Sequence, residues 1–191
     1  MLSIFLLLAC GTIEARTVLA IRTVKPKSRH NLLHKIHKVK KEFVLHETKA
    51  GFFSYEGDLV GVGLTCDQFE VKGNVNASSI VAKMGTVHGK INSNQAYLEH
   101  LKVHGDAALI DSKIKKLEIS GARIILKRCT VDELIIKPVY TEKRHFPRKQ
   151  IVKLKDTQIG KLVCNIQTVQ IEKEDDCVIG EIAELGPDKV R

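Results

Sequence analysis

Apolar and polar residues alternate through the middle of the chain, and a glycine punctuates the alternation every sixteen residues. Gly57, Gly73, Gly89, Gly105 and Gly121 are in phase. Tyr55, Val71, Val87, Val103 and Ile119 stand two positions before them, and Leu59, Val75, Ile91 and Ala107 two positions after the first four. With glycine at about 7% of ordinary sequence, four further hits in register have a chance probability on the order of 10⁻⁵. Other positions keep the same frame. Cys66, Ala82, Leu98 and Ile114 share one column, and Phe69, Leu101 and Leu117 share another, in which Gly85 is the exception.

After Gly121 the frame slips by one residue: Val131, Leu134 and Ile136 repeat the spacing of Ile114, Leu117 and Ile119 seventeen positions later. A one-residue slip fits an insertion in a turn. A period of sixteen is too short for helical-hairpin repeats or propeller blades, but it suits one coil of a β-solenoid. Alternate residues of each coil then face inward, and identical columns stack at about 4.8 Å. The pattern predicts an all-β, single-domain parallel β-solenoid with about 16 residues per coil, preceded by a short basic N-terminal segment. The glycines are expected to be structural, supplying either a positive φ at a corner or a close approach of backbones.

The solenoid is expected over 51–139. Residues 140–150 read as a basic loop thrown out of one coil, marked by Pro138 and Pro147 and by Lys143, Arg144, Arg148 and Lys149. Ile159, Leu162 and Cys164 restore the coil spacing, so C-terminal coils are expected over 151–185 and a frayed tail over 186–191.

The first fifteen residues read as a signal-like apolar segment, too short to span a bilayer as a helix. Leu7, Leu8, Ala9 and Cys10 resemble a bacterial lipobox, which would make Cys10 a lipidation site; cleavage after Ala15 is the alternative. Residues 16–50 are a basic linker in which Leu32, Leu33, Ile36, Val39 and Phe43 recur at helical spacing, so a short amphipathic helix is expected, able to cap the solenoid or lie on an anionic surface.

The formal net charge of +9 permits an acidic partner. His30 and His34 lie four apart, but no carboxylate or cysteine joins them at metal-ligand spacing. His88 and His104, sixteen apart, should stack on the surface. Asp106, Asp111 and Asp132 fall in different columns, which gives paired-carboxylate catalysis no footing. The five cysteines contain no Cys-x-x-Cys pair; a bond between Cys164 and Cys177 is conceivable, and free, mostly buried thiols are expected. No catalytic residue, metal or cofactor is expected.

The run of Val-x-Gly-x-Val/Ala steps from Phe69 to Gly121 resembles the bactofilin family of polymer-forming bacterial proteins. The resemblance covers about residues 55–136, and the chain departs from that family in its sixteen-residue period, its inserted basic loop and its signal-like start. It implies a compact β-helix that assembles end to end, without nucleotide, into filaments. The function expected is therefore a non-enzymatic, self-associating scaffold at the bacterial cell envelope, exported or membrane-anchored, with a cytoplasmic, membrane-associated position as the alternative. The other functional reading is an exported or lipid-anchored binding module whose basic helix and loop, through Lys143, Arg144, Arg148 and Lys149, hold an anionic polysaccharide, lipid or nucleic acid.

Overall fold

The computed structural model describes residues 42–140 and 147–185. They form a parallel β-solenoid. Its first rungs are single long strands, β1 (Glu42–Tyr55), β2 (Asp58–Val71), β3 (Val75–Val87) and β4 (Ile91–Val103). Later rungs are each split in two: β5 (Ala107–Ile110) with β6 (Lys113–Ile119), β7 (Arg123–Lys127) with β8 (Thr130–Ile136), β9 (Gln150–Lys155) with β10 (Gln158–Cys164), and β11 (Val169–Glu174) with β12 (Val178–Glu184). Every rung pairs in parallel with the rung before it.

The register follows the sequence columns. Leu59 pairs with Val75 and Val75 with Ile91, each step sixteen residues. Ala107 then pairs with Ile124 and Ile119 with Ile136, seventeen apart, while Val103 still pairs with Ile119 at sixteen. The extra residue therefore lies in the turn between Ile119 and Ile124. Ile124 pairs with Val152, twenty-eight residues on, so the basic loop is an insertion that leaves the ladder intact.

The interior is aliphatic. Leu59, Leu64, Phe69, Ile80, Leu101, Leu117, Ile119, Ile124, Leu134 and Leu162 are fully buried, and each rung contributes to one continuous core. Because a rung touches only its neighbours, stability is close to a sum of nearest-neighbour terms.

The expected boundary at 51 is corrected: Glu42, the first described residue, already lies in a solenoid strand. Phe43 and Leu45, of which Phe43 also fitted the expected helix, instead pair with Leu59 and Gly61, sixteen positions on. A 3.6-residue period and a two-residue period coincide on so short an apolar run, and strand pairing decides between them. Gln150 likewise opens β9 rather than closing the loop. The coils after 169 make one rung. The signal-like segment 1–15, residues 16–41 of the basic segment, and the tail 186–191 lie outside the described residues.

Candidate functional site

The five repeat glycines line one corner of the solenoid, and space explains four of them. A Cβ on Gly105 would lie 2.5 Å from the Gly89 carbonyl oxygen, and Gly73, Gly89 and Gly121 meet the carbonyl of the preceding glycine in the same way. None of the four has a positive φ; among the five only Gly57 does, at 146°. The corner is tight because each backbone rests on the one below. A ladder of side-chain acceptors runs beside it. Asp58 Oδ1 accepts from the Asn74 N–H at 2.9 Å, Asn74 Oδ1 from the Lys90 N–H, and Asp106 Oδ1 from the Ala122 and Arg123 N–H groups. These bonds satisfy amides that the turn removes from the strand ladder.

The left-handed backbone that glycine was expected to supply occurs at a second corner. Glu47, Ser79, Gln95, Asp111, Arg128, Asp156 and Asp175 all have φ between 42° and 61°, and Gly63, at 76°, completes the column. Sequence reasoning missed this column because its residues share no type, although three are Asp, which tolerates this conformation better than most. On the next position inward, Ser112 Oγ donates to the Ile110 carbonyl and accepts from the Ala96 N–H, and Thr157 Oγ1 donates to the Lys155 carbonyl.

The basic loop leaves the solenoid at the glycine corner. The Arg148 N–H donates to the Val139 carbonyl at 2.8 Å and so closes the base of the loop. Gln150 is fully buried beneath it; its Nε2 donates to the Gly121 carbonyl at 2.8 Å and to the Lys137 carbonyl at 3.0 Å. Of the four basic residues expected to hold an anionic partner, Arg148 and Lys149 are exposed at this base. Lys143 and Arg144 lie outside the described residues, as does Cys10.

A shallow cleft of about 230 Å³ adjoins the base, lined in part by Lys102, His104, Glu118, Lys137 and Tyr140. Glu118 accepts from Lys137 Nζ at 2.9 Å and from His100 Nε2 at 3.0 Å. Burial works to raise its pKa, but the hydrogen bond and charge of Lys137, helped by His100, hold it below the ordinary carboxylate value. His104 stacks on His88 with ring centroids 5.0 Å apart and planes within 10°. Burial, and then the charges of Lys102, His88 and Lys137, lower the His104 pKa. The two histidines were brought together in sequence by their spacing alone; Glu118 and Lys137 were not, because Glu118 pairs with Ile135 and meets Lys137 two positions off that column.

The four described cysteines are free. Burial, with Asp67 beside it, pushes the Cys66 thiol up to about 11, which makes it a poor nucleophile. No group of three or more potential metal ligands gathers among the described residues, and no helix among them is long and apolar enough to cross a membrane.

The two ends of the solenoid differ. At the first rung, Phe43 packs against Phe53 and Tyr55, with ring centroids 5.8 and 5.3 Å apart. At the last, among the described residues, β11 pairs only with β9 and β12 only with β10. Val178 is 58% exposed and Ile182 52%. Lys173 and Glu184 stand in columns that are apolar below them, above Leu154 and Cys164.

Comparison of the chain with protein-family models, with curated proteins and with solved structures gave no match.

Proposed function

We propose that this chain is a non-enzymatic scaffold that self-associates through the ends of its solenoid, in the manner the bactofilin resemblance implies, at a cell envelope. The observation that carries the reading is the open last rung among the described residues. The outer edges of β11 and β12 present backbone N–H and C=O groups beside Val178 and Ile182. Such an edge is a template for another strand. The cleft beside the loop base supports the same reading: it is shallow, and Lys137 and His100 already occupy the Glu118 carboxylate within it.

Light scattering and negative-stain microscopy of the full chain across a salt series test the proposal. Rods or filaments that persist at high salt, where surface charge is screened, are expected. A monomer at every concentration would overturn it.

The loop base favours a second reading, a module that holds an anionic polysaccharide or lipid. Arg148 and Lys149 are exposed there, with Lys102 and Lys137 in the adjoining cleft. Charge reversal of Arg148 and Lys149 should then weaken retention on anionic vesicles or heparin and flatten its salt dependence.

A further inference from the structure

One side of the solenoid, built from the first halves of β1 to β4 and then from β5, β7, β9 and β11, turns two columns of side chains outward between buried positions such as Ala77, Ser93 and Leu109. The first column opens with Val44 and Val60 and reaches Ala108 and Ile125, with Asn76 and Asn92 between them. The second opens with His46 and Val62 and reaches Ile110 and Lys127, with Ser78 and Asn94 between. Both are near-palindromes about the gap between β3 and β4. Among the described residues neither column holds a carboxylate before Glu172 and Glu174 on β11. Val44 is 71% exposed, Val62 54% and Ile125 43%. Lys83, Glu99, Lys102 and Lys116 keep the other two sides charged at the same height, so this side is where aliphatic groups gather on the outside without charge among them, the mark of a contact surface.

We propose that two copies of the chain pair through this side, antiparallel, about a two-fold axis that runs along the strand direction between β3 and β4. Such an isologous contact packs each column against its own reverse. It stands apart from the scaffold reading, because end-joined rods and isolated pairs accommodate it equally.

The palindrome fixes the register. An axis between β3 and β4 sets Val44 opposite Ile125 of the second copy, Val60 opposite Ala108 and Val62 opposite Ile110. Polar groups meet polar groups, Asn76 facing Asn92 and Ser78 facing Asn94. An axis moved onto β3 would set Val60 on Asn92 and Val62 on Asn94, and one moved onto β4 would set Val62 on Lys127 and Asn76 on Ala108. Of the three, only the central axis matches apolar with apolar and amide with amide.

Charge at the rims selects the antiparallel arrangement. Glu42 falls opposite Arg123 of the second copy and Glu47 opposite Arg128, so each arginine, already beside Asp106 or Asp111 of its own chain, gains a second carboxylate. Two contacts oppose the register, Asp58 on Asp106 and His46 on Lys127. Both lie at its margins, and Asp106 has Lys90 and Arg123 of its own chain beside it. A parallel second copy would fare worse: Lys153 would meet Lys155, Glu172 would meet Glu174, and the rims would bring Asp106 toward Asp111 and Arg123 toward Arg128. Rungs about 4.8 Å apart and residues about 3.3 Å apart give the overlap of β1 to β7 roughly 500 Å² per copy. That area stands near the lower limit for a specific pair, so a reversible dimer with a micromolar dissociation constant is expected.

Sedimentation velocity and cross-linking of the full chain test the pairing and its register. Val62→Lys should abolish the dimer, whereas Tyr97→Lys, at a 48% exposed position on the next side, should leave it intact. Neither should move the thermal midpoint by more than about two degrees, since both side chains are exposed. In a chain carrying Cys10→Ser and Cys177→Ser, Val62→Cys and Ile110→Cys stand three rungs, roughly 14 Å, apart, whereas facing sheets pack about 10 Å apart. A short bis-maleimide should therefore join two copies when both new thiols are present and not when either is present alone. Joining by Val62→Cys alone would overturn the antiparallel register. Assemblies that persist with Val62→Lys would overturn the pairing and leave the scaffold reading standing. Pairs that stop at two copies and dissociate with Val62→Lys would support the pairing and overturn joining through the ends. A monomer at every concentration would remove both.

Discussion

The ring of Phe69 fills the space that a side chain at Gly85 would need. Both its Cζ and Cε1 lie against the position of a Cβ there, and Phe69 is fully buried. Phe69 and Gly85 are paired in adjacent rungs, so one large residue serves two positions of a column that Leu101 and Leu117 fill singly. Gly85→Val should destabilise the fold by about 1–3 kcal/mol through overpacking, and Phe69→Leu should lose a comparable amount through the void it leaves. The double substitution should recover part of both losses. Urea unfolding of the four proteins measures the coupling, and simple additivity would contradict the shared-space account.

The left-handed corner makes the opposite kind of prediction. Gln95 is exposed, with φ at 61°. Gln95→Gly relieves a backbone cost of about 1 kcal/mol and adds roughly 0.4–1 kcal/mol of unfolded-state entropy. The net change should be neutral to slightly stabilising, unlike most glycine substitutions in a strand. Gly63→Ala in the same column should be clearly destabilising, because its φ is 76° and the new Cβ would lie 2.9 Å from the Glu47 Cα. Thermal unfolding of the pair decides: equal losses at both positions would rule out a strained column.

Gln150 holds the corner from which the loop departs. Gln150→Leu keeps most of the side-chain volume but leaves the Gly121 and Lys137 carbonyls without the bonds its Nε2 provides. An unsatisfied buried polar group costs about 1–3 kcal/mol; the substitution also removes Gln150 Oε1, which is buried with no partner among the described residues, so a loss toward the lower end of that range is expected in chemical denaturation. Lys149→Ala, one residue earlier and exposed, should change stability by less than about 0.5 kcal/mol.

Acid should weaken the fold in two stages. His104 has a lowered pKa in the folded chain, so the unfolded chain takes up its proton first as pH falls below the ordinary histidine value of about 6.5. Stability from this group is complete above that value and declines toward the lowered folded pKa. Glu118, also lowered, contributes above the ordinary glutamate value of about 4.3 and loses that contribution as pH falls through its folded pKa. His104→Gln should flatten the first part of the profile and Glu118→Gln the second, as read from unfolding free energy between pH 7 and 3. A profile unchanged by either substitution would show that neither group carries the linkage.

Much of the fold was legible because a solenoid writes its contacts into the sequence at a fixed spacing. Val75, Ile91 and Ala107 announce their neighbours by recurring, and the glycine corner announces its tightness in the same way. The left-handed corner was illegible because its requirement falls on the backbone and side chains as different as Arg128 and Ser79 meet it. The strand over Glu42–Tyr55 was obscured by the basic composition before it, although Phe43 and Leu45 stand sixteen residues ahead of Leu59 and Gly61. The contact of Glu118 with Lys137 joins neighbouring rungs diagonally, two positions off the column that pairs Glu118 with Ile135, so column counting does not find the partner. Gln150 gave no signal, since a polar residue beside a basic loop reads as solvated until the carbonyls it meets are located.

The hydrogen bond from Arg148 to Val139 and the side chain of Gln150 together seal the solenoid beneath the inserted loop. Above that seal the chain has added eleven residues to a seventeen-residue step without moving the register of β7 on β9 or of β8 on β10. The corner therefore works as a socket: the ladder fixes where a segment is plugged in and is indifferent to what the segment contains. Surface chemistry at this point can be rewritten by exchanging the loop, while the rungs on either side keep their spacing.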